Sequence, residues 1–318
     1  MTEPALELSR CKVVVLGNAG SGRRNAQAAR GEVEAALRPA TAALEYWSFQ
    51  NGRGIEAAAH RAVKEGAGLV VAFGGDGTQS AVAAALAGGS VPMGVLPGGT
   101  FNYFARDLGI GESLPEALAT LLRAERRAVD LGVLNGRAFL NNVSFGIYPA
   151  ILERREAIYR RWGRSRMAAY LSVLLALRDL GDPLHLTVIA GGVAREIHTP
   201  LAFVGCNAHQ LESLGLSGTE TVRDKHFTLF LARSHSRPGL AAAAFRLALV
   251  RSRVGEDFDL VEADEIWIEK RRHGHAIAID GEKLRLSGPY HLRVERDALY
   301  VIAPPRAKDR TGPAGEGG

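Results

Sequence analysis

The first third of the chain alternates short apolar runs, rich in β-branched residues, with longer Ala-rich segments. The runs have the length of buried strands, and the longer segments repeat apolar residues at helical spacing. Predicted strands cover Lys12–Leu16, Ala43–Phe49, Leu69–Phe73 and Met93–Leu96, and predicted helices cover Asn25–Leu37, Ile55–Glu65, the residues that lead to Ala87, and Leu114–Ala124. Strands that alternate with helices predict an α/β domain with a parallel sheet.

After about residue 128 the pattern changes to short β-rich pieces separated by turn residues. These pieces are Ala138–Gly146, Leu184–Ile189, Leu201–Cys206, Thr228–Ala232, Glu265–Glu269 and His275–Ile279. Their spacing predicts an antiparallel sandwich or barrel. We therefore expect an α/β domain over residues 1–128 and a β-rich domain over 129–289, with a helical insert at 150–180. Residues 304–318 are rich in Pro, Gly and charge, which predicts a disordered tail.

The composition narrows the class of protein. Hydrophobic residues make up 47% of the 318 positions, which is enough for two cores and excludes disorder throughout. The net charge of +5 favours anionic partners without choosing among phosphate, nucleic acid and membrane. Cys11 and Cys206 form no CxxC pair, so we expect no disulfide framework and a cytoplasmic location. The longest apolar stretch, Met167–Leu177, is too short to span a bilayer.

Glycine-rich loops follow three of the predicted strands, at Gly17–Gly22, Gly74–Gly77 and Pro97–Thr100. The carboxyl ends of parallel strands meet at one edge of a sheet, where α/β proteins bind their ligands. Backbone amides in such loops converge on phosphate oxygens. One such loop alone is equally well a tight turn, and the first has neither the Walker nor the GxGxxG spacing. Three at one edge predict a phosphate site.

The glycine loops belong to longer motifs that resemble a known family. Gly74–Thr78 reads GGDGT, the signature of the diacylglycerol kinase-like and NAD kinase-like superfamily, and phosphofructokinase-type sites carry a related GGDG. Asn18–Gly22 resembles the lipid kinase opening NPxSG, with Ala19 in place of Pro. Pro97–Arg106 resembles PxGTxNDFAR, and Asp280–Glu282 resembles DGE. The order and separation of the four motifs resemble those of bacterial diacylglycerol kinase-like proteins.

This resemblance extends from Lys12 to about Pro304 and implies roles for particular residues. It implies ATP with Mg²⁺ on the first domain, a lipid surface on the second, an active site between them, and strands at 290–303 that return toward the first domain. Glu282 is implied as the general base and Asp76 as a second catalytic residue. The implied nucleotide-binding residues are Asn18, Ala19, Gly20, Ser21, Gly22, Arg23, Gly74, Gly75, Asp76, Gly77, Thr78, Thr100, Asn102 and Arg106.

Two further departures from the family pattern concern charged sites. The family's ionic network of two basic and two acidic residues maps to Arg23, Asp76, Tyr103 and Arg106, so an aromatic residue replaces one acid, and Asp107 is the candidate substitute. The family's structural metal turn maps to Asp224, the implied metal ligand, but Lys225 stands at its glycine position. An exposed turn is the alternative interpretation there.

The motifs predict an ATP-dependent kinase that phosphorylates a hydroxyl of a diacylglycerol-like lipid. Two alternatives stay open: a kinase for a soluble hydroxyl substrate such as NAD, disfavoured because NAD kinases carry NE where Asn102-Tyr103 stands, and a regulator that binds nucleotide or lipid without catalysis.

Residues 151–180 carry seven arginines against three acidic residues. We interpret this segment as a peripheral contact with the inner face of the membrane, where the lipid substrate lies, or else as a solvated helix. A nucleic acid partner is disfavoured because no known nucleic-acid-binding motif accompanies the positive charge. A homodimer is left open.

Overall fold

The computed structural model describes residues 5–18, 26–147, 183–248, 252–270 and 277–305, together with positions 154, 158 and 175. The chain divides into two units, Met1–Asp130 with Arg296–Gly318, and Leu131–Glu295. The predicted loop residues 19–23, most of the predicted insert at 150–180, and the predicted disordered tail beyond residue 305 lie outside the described residues.

The first unit is an α/β domain built on parallel strands. Its strands are β1 (Lys12–Asn18), β2 (Ala43–Phe49), β3 (Leu69–Gly74) and β4 (Met93–Pro97), in the sheet order β2-β1-β3-β4. Its helices are α1 (Ala26–Leu37), α2 (Ile55–Lys64), α3 (Asp76–Leu86), α4 (Tyr103–Asp107) and α5 (Leu114–Arg123), with 3-10 turns at Leu8–Arg10 and Arg38–Ala40. The predicted parallel α/β sheet is confirmed.

The register of this sheet aligns the carboxyl ends of its strands. Gly17 of β1 pairs with Phe73 of β3, and Gly74 pairs with Pro97 of β4. Val13 to Leu16 are fully buried, as are Leu69 to Ala72, because the strands are covered on both faces. The loops that follow β3 and β4 therefore start side by side at one edge.

The second unit is a sandwich of antiparallel strands. They are β5 (Arg126–Leu134, begun in the first unit), β6 (Arg137–Phe139), β7 (Asn142–Gly146), β8 (Leu184–Ala190), β9 (Val193–Thr199), β10 (Leu201–Gly205), β11 (Phe227–Ala232), β12 (Phe258–Ala263), β13 (Glu265–Lys270), β14 (Ile277–Ile279), β15 (Glu282–Leu284) and β16 (Tyr290–Ile302, ended in the first unit). Its helices are α6 (Ala208–Ser213), α7 (Thr219–Arg223) and α8 (Arg237–Ala248).

Two sheets of this unit share one core. One sheet has the order β12-β11-β10-β7-β14-β15, and the other pairs β13 with β16 and β8, and β8 with β9. Alternate residues from both, including Val143, Phe227, Ile266 and Leu292, are buried against one another. The sequence left sandwich and barrel open, and the structure has the sandwich.

One predicted strand is wrong in its extent. Ala138–Gly146 was expected to be continuous, but it is broken between Phe139 and Asn142. The physical reason is that the backbone amides of residues 140–142 donate to the carboxylate of Asp280.

An ion pair between a buried carboxylate and a partly exposed arginine ties helix α8 to the loop before β12. Asp257 is 2% exposed, and its two oxygens accept from Arg246 Nε at 2.9 and 3.0 Å. Arg246 Nη2 also donates to Asp257 Oδ1, and the backbone N–H of Arg253 donates to Asp257 Oδ2. Arg246, and then the amide of Arg253, lower the pKa of the Asp257 carboxyl.

We expect Asp257→Asn to lower the Tm by several degrees at neutral pH, because the variant loses the charge that Arg246 pairs with. A lowered folded-state pKa gives stability that is present above the unfolded carboxyl pKa of about 3.9 and is lost as the pH falls through the folded value. Thermal unfolding followed by circular dichroism should therefore show the deficit shrinking below about pH 4. The matched control is Asp259→Asn, because Asp259 pairs with Arg233 at the surface. An equal deficit in both variants would contradict the prediction.

Candidate functional site

Two glycine loops of the first unit touch backbone to backbone. Gly98 N donates to Gly74 O at 2.9 Å. A Cβ atom on Gly99 would lie 2.5 Å from Gly75 Cα, and one on Gly75 would lie 3.1 Å from Gly99 Cα. No other residue type allows this approach without moving a loop. The contact brings the amides of both loops to the carboxyl edge of the sheet, the place where α/β proteins bind phosphate.

Asp76, the acid of the GGDGT motif, fixes the start of a helix elsewhere in the chain. Its carboxylate accepts hydrogen bonds from Asn102 N at 3.0 Å and Tyr103 N at 2.7 Å, and Tyr103 begins α4. A carboxylate at this position satisfies amides that the first helical turn leaves without a partner. Asp76 therefore connects the two motifs directly.

The side chain of Asn102 closes the loop that precedes α4. Asn102 adopts a left-handed backbone conformation with φ of 50°. Its Oδ1 accepts from Gly99 N at 2.9 Å, and its Nδ2 donates to Gly99 O at 3.0 Å. Asn tolerates this conformation better than most residues. The predicted nucleotide-binding residue thus shapes the loop, while Thr100 is exposed inside it.

Two polar side chains donate hydrogen bonds to residues of the GGDGT motif. Asn18 Nδ2 donates to Thr78 Oγ1 at 3.4 Å, and the Thr78 side chain occupies the space beside Gly74. Gln79 is fully buried and donates from Nε2 to Gly74 O at 3.1 Å. Gly77 lies in the first turn of α3. Sequence reasoning did not assign Gln79 to the site, although a Gln directly after GGDGT was the visible signal.

The aromatic residue that replaces the family acid takes part in a ring stack. Tyr103 and Phe101 stack with ring centroids 5.3 Å apart and planes 8° from parallel, and Phe101 is 50% exposed. Arg106 Nη2 pairs with Glu112 Oε2 at 2.9 Å. Arg23 lies outside the described residues. The structure therefore brings together Asn18, Asp76, Thr78, Asn102 and both glycine loops.

The DGE motif forms a tight turn in the second unit. Asp280 and Gly281 have φ of 48° and 84° and join β14 to β15. Two positive φ values are typical of a two-residue hairpin turn. The carboxylate of Asp280 accepts from Leu140 N, Asn141 N and Asn142 N at 2.8, 2.7 and 3.0 Å. Glu282 follows as the first, exposed residue of the edge strand β15.

Four buried amide side chains surround the loop that Asp280 binds. Asn207 Nδ2 donates to Asn141 Oδ1 at 2.9 Å, and Asn142 Nδ2 donates to Gln210 Oε1 at 3.1 Å. All four are at most 7% exposed. Sequence reasoning missed this cluster. Its signal was the Asn-Asn pair inside a predicted buried strand, where polar residues require partners.

Asp224 and Lys225 form a turn after α7. Asp224 N donates to Glu220 O at 2.8 Å, and Lys225 has φ of 73°, the conformation that the family's glycine would favour. Across the described ranges, no three His, Cys, Asp or Glu side chains are grouped as a metal ion would require. A cation at Asp224 stays a prediction.

The fold and the site together define an α/β domain with two glycine loops in contact, joined to a β-rich unit. Residues 12–134 match the family model of the diacylglycerol kinase catalytic domain.

Two curated relatives resemble parts of the chain. A diacylglycerol kinase of Mycobacterium tuberculosis is 32% identical over 136 residues, 41% of this chain and 43% of its own length. A protein named "Probable lipid kinase YegS-like" of Pseudomonas fluorescens is 34% identical over 183 residues, 52% of this chain and 60% of its own length. The chain thus spans less than two thirds of the curated relatives it matches.

A crystal structure of a diacylglycerol kinase from Bacillus anthracis str. Sterne matches with a TM-score of 0.70 and 21% identity, covering 92% of this chain and 97% of that chain. At this identity the likeness shows the fold. Within the part of the chain that the structure describes, no helix is both long and apolar enough to cross a bilayer.

We expect Gly99→Ala to weaken nucleotide binding by about tenfold or more, because the added Cβ would push the two loops apart, and a displacement of 1 Å at a catalytic site costs up to about 10²-fold. Isothermal titration with ATP and Mg²⁺ measures the affinity. Gly31→Ala is the matched control, since a Cβ there meets nothing within 4 Å. Unchanged ATP affinity in folded Gly99→Ala protein would show that the loop contact does not shape the site.

Proposed function

We propose that this protein is an ATP-dependent lipid kinase that transfers the γ-phosphoryl group to a hydroxyl of a diacylglycerol-like lipid. The observation that carries the proposal is the backbone contact between the Gly75 and Gly99 loops within a diacylglycerol kinase catalytic domain. The names of the Mycobacterium and Pseudomonas relatives support a lipid as the acceptor.

The glycine loops suit a polyphosphate because their amides are held at one edge by short, specific contacts. A Cβ on Gly75, Gly98 or Gly99 would meet the backbone of the facing loop, so glycine at these positions allows the two loops to meet at this edge. Asp76 fits a cation because its carboxylate, which accepts the amides of Asn102 and Tyr103, is the kind of ligand that Mg²⁺ takes from proteins. Mg²⁺, when bound, offsets the charge of the phosphate oxygens.

Glu282 would take the proton from the acceptor hydroxyl. As the hydroxyl oxygen bonds to the γ-phosphorus, the bond to the bridging oxygen of ADP breaks, and the hydroxyl proton passes to the carboxylate. Glu282 is an exposed residue of the edge strand β15. The phosphorylated lipid and ADP then leave, and the proton returns to water.

The regulator alternative has support from two contacts. Tyr103 supplies a ring stack where the family has an acid, and Arg106 pairs with Glu112. Tyr103 lacks the negative charge with which an acid would help to place a cation, and the charge of Arg106 is paired with Glu112. Binding of ATP without its consumption would favour the regulator, and transfer to a soluble acceptor without vesicles would favour the NAD kinase-like alternative. The peripheral membrane contact through residues 151–180 and the cytoplasmic location stay predictions.

The proposal predicts transfer of label from γ-labelled ATP to diacylglycerol in mixed vesicles with anionic phospholipid and Mg²⁺. We expect Glu282→Gln to retain ATP affinity and to lose about 10²-fold or more in kcat, the usual contribution of a general base. Glu269→Gln is the matched control, because Glu269 is an exposed strand residue of the same unit. Near-normal turnover by Glu282→Gln would exclude Glu282 as the base.

A further inference from the structure

The hairpin that carries Glu282 is too short to fix the position of that residue by strand pairing alone. Strands β14 and β15 have three residues each, with Ile277 opposite Leu284 and Ile279 opposite Glu282. Strand β15 is also the edge of its sheet, so β14 is its one pairing neighbour among the described strands. Strand β14 also pairs with β7, so Glu282 lies on the less supported strand of the hairpin.

Asp280 supplies such an anchor two residues before Glu282. Its Oδ1 accepts from Asn141 N and Asn142 N, and its Oδ2 accepts from Leu140 N, all between 2.7 and 3.0 Å. Its own backbone N donates to Asn142 O at 2.9 Å. Hydrogen bonds to an ionised group are stronger than those between neutral groups. The turn is thus bound to the 140–142 loop at four points.

The 140–142 loop is itself held by buried groups. Cys206 N donates to Asn141 O at 2.9 Å, and Cys206 Sγ donates to Leu140 O at 3.2 Å. Asn207 Nδ2 donates to Asn141 Oδ1, while Asn207 Oδ1 accepts from Gln210 N at the start of α6. Buried networks of this kind are rigid when their members have partners. The anchor therefore connects the Glu282 hairpin to a fixed part of the unit.

A second hairpin in the same chain shows that the turn itself does not require a carboxylate. Asn135 and Gly136 have φ of 48° and 84°, the same values as Asp280 and Gly281. In that hairpin the amide side chain suffices, since Asn135 Oδ1 accepts from His291 N and its Nδ2 donates to Pro289 O. Asp280 instead accepts from three N–H donors. An asparagine could accept with its oxygen only, because its side-chain nitrogen is itself a donor.

We infer that Asp280 is a positioning residue, whose carboxylate holds the Glu282 carboxylate where it accepts the hydroxyl proton. The inference rests on the proposed kinase function and adds a role for the first residue of the DGE motif. Asp280→Asn keeps a residue type that this turn accepts, but it places an NH₂ group against Leu140 N–H or against the two neighbouring amides. The loop or the turn must then shift, and Glu282 shifts with the turn.

The test is a double-mutant cycle of Asp280→Asn and Glu282→Gln in the vesicle kinase assay. We expect Asp280→Asn to lower kcat by about 10- to 100-fold, the cost of a displacement of roughly 1 Å, with the KM for ATP unchanged. In the Glu282→Gln background the same substitution should cause no further loss, because its effect acts through Glu282. Equal losses in both backgrounds would show a general structural effect and overturn the inference.

Asp297→Asn is the matched control, because Asp297 is an exposed aspartate with φ of 49°, and it should keep wild-type kcat. Circular dichroism gives the folded fraction of each variant. If Asp280→Asn fails to fold, Asn207→Ser serves instead: serine still caps α6 but loses the donor to Asn141. A kcat loss that vanishes in the Glu282→Gln background supports the inference, and wild-type kcat overturns it.

The outcomes also separate this inference from the proposed function. If the wild-type protein is active, Glu282→Gln is inactive and Asp280→Asn keeps wild-type turnover, the positioning role alone is overturned. Absence of phosphoryl transfer by the wild-type protein to lipid or soluble acceptors would overturn the kinase and the positioning role together.

Discussion

The contact between Gly75 and Gly99 is the constraint on which the first unit's site depends. Two strand-to-helix loops can run side by side at van der Waals distance because neither carries a Cβ atom at the crossing point. The parallel register of β3 and β4 brings the loops to that point, and the hydrogen bond from Gly98 N to Gly74 O fixes their separation. The carboxyl edge of the sheet thereby holds two glycine loops in contact, at the place where α/β proteins bind phosphate.

In both units the aspartate of a motif binds backbone amides of a loop that is distant in the sequence. Asp76 accepts the amides of Asn102 and Tyr103, and Asp280 accepts the amides of residues 140–142. In each case a carboxylate next to glycine fastens a loop that is remote in the chain. In the sequence, these acids lie between Gly75 and Gly77 in one unit and two residues before Glu282 in the other. The aspartates of both motifs therefore hold loops in place through hydrogen bonds to backbone amides.

Local sequence signals predicted the elements that depend on local patterns. The strands Ala43–Phe49 and Leu69–Gly74 and the helix Ala26–Leu37 were recognisable because apolar spacing within each segment determines them. Helix α4 was missed because it has five residues, and its start depends on Asp76, 27 positions away. Strand β9 was missed because most of its residues are exposed and show no alternation. The contiguous glycine motifs were found, but their contacts required the sheet register.

The amides that Asp76 accepts also change what its charge can do. A lone carboxylate beside a phosphate site would repel the ligand, but two amide donors and the N-terminal end of α4 stabilise that charge and reduce its field. A carboxylate is also a ligand that Mg²⁺ accepts, so one side chain can hold a loop and attract a metal ion at once. A variant that lacks the Asp76 carboxylate therefore loses both the hydrogen bonds that hold the loop and a candidate ligand for the metal ion. Loop geometry and cation affinity separate only when nucleotide binding is measured both with and without Mg²⁺.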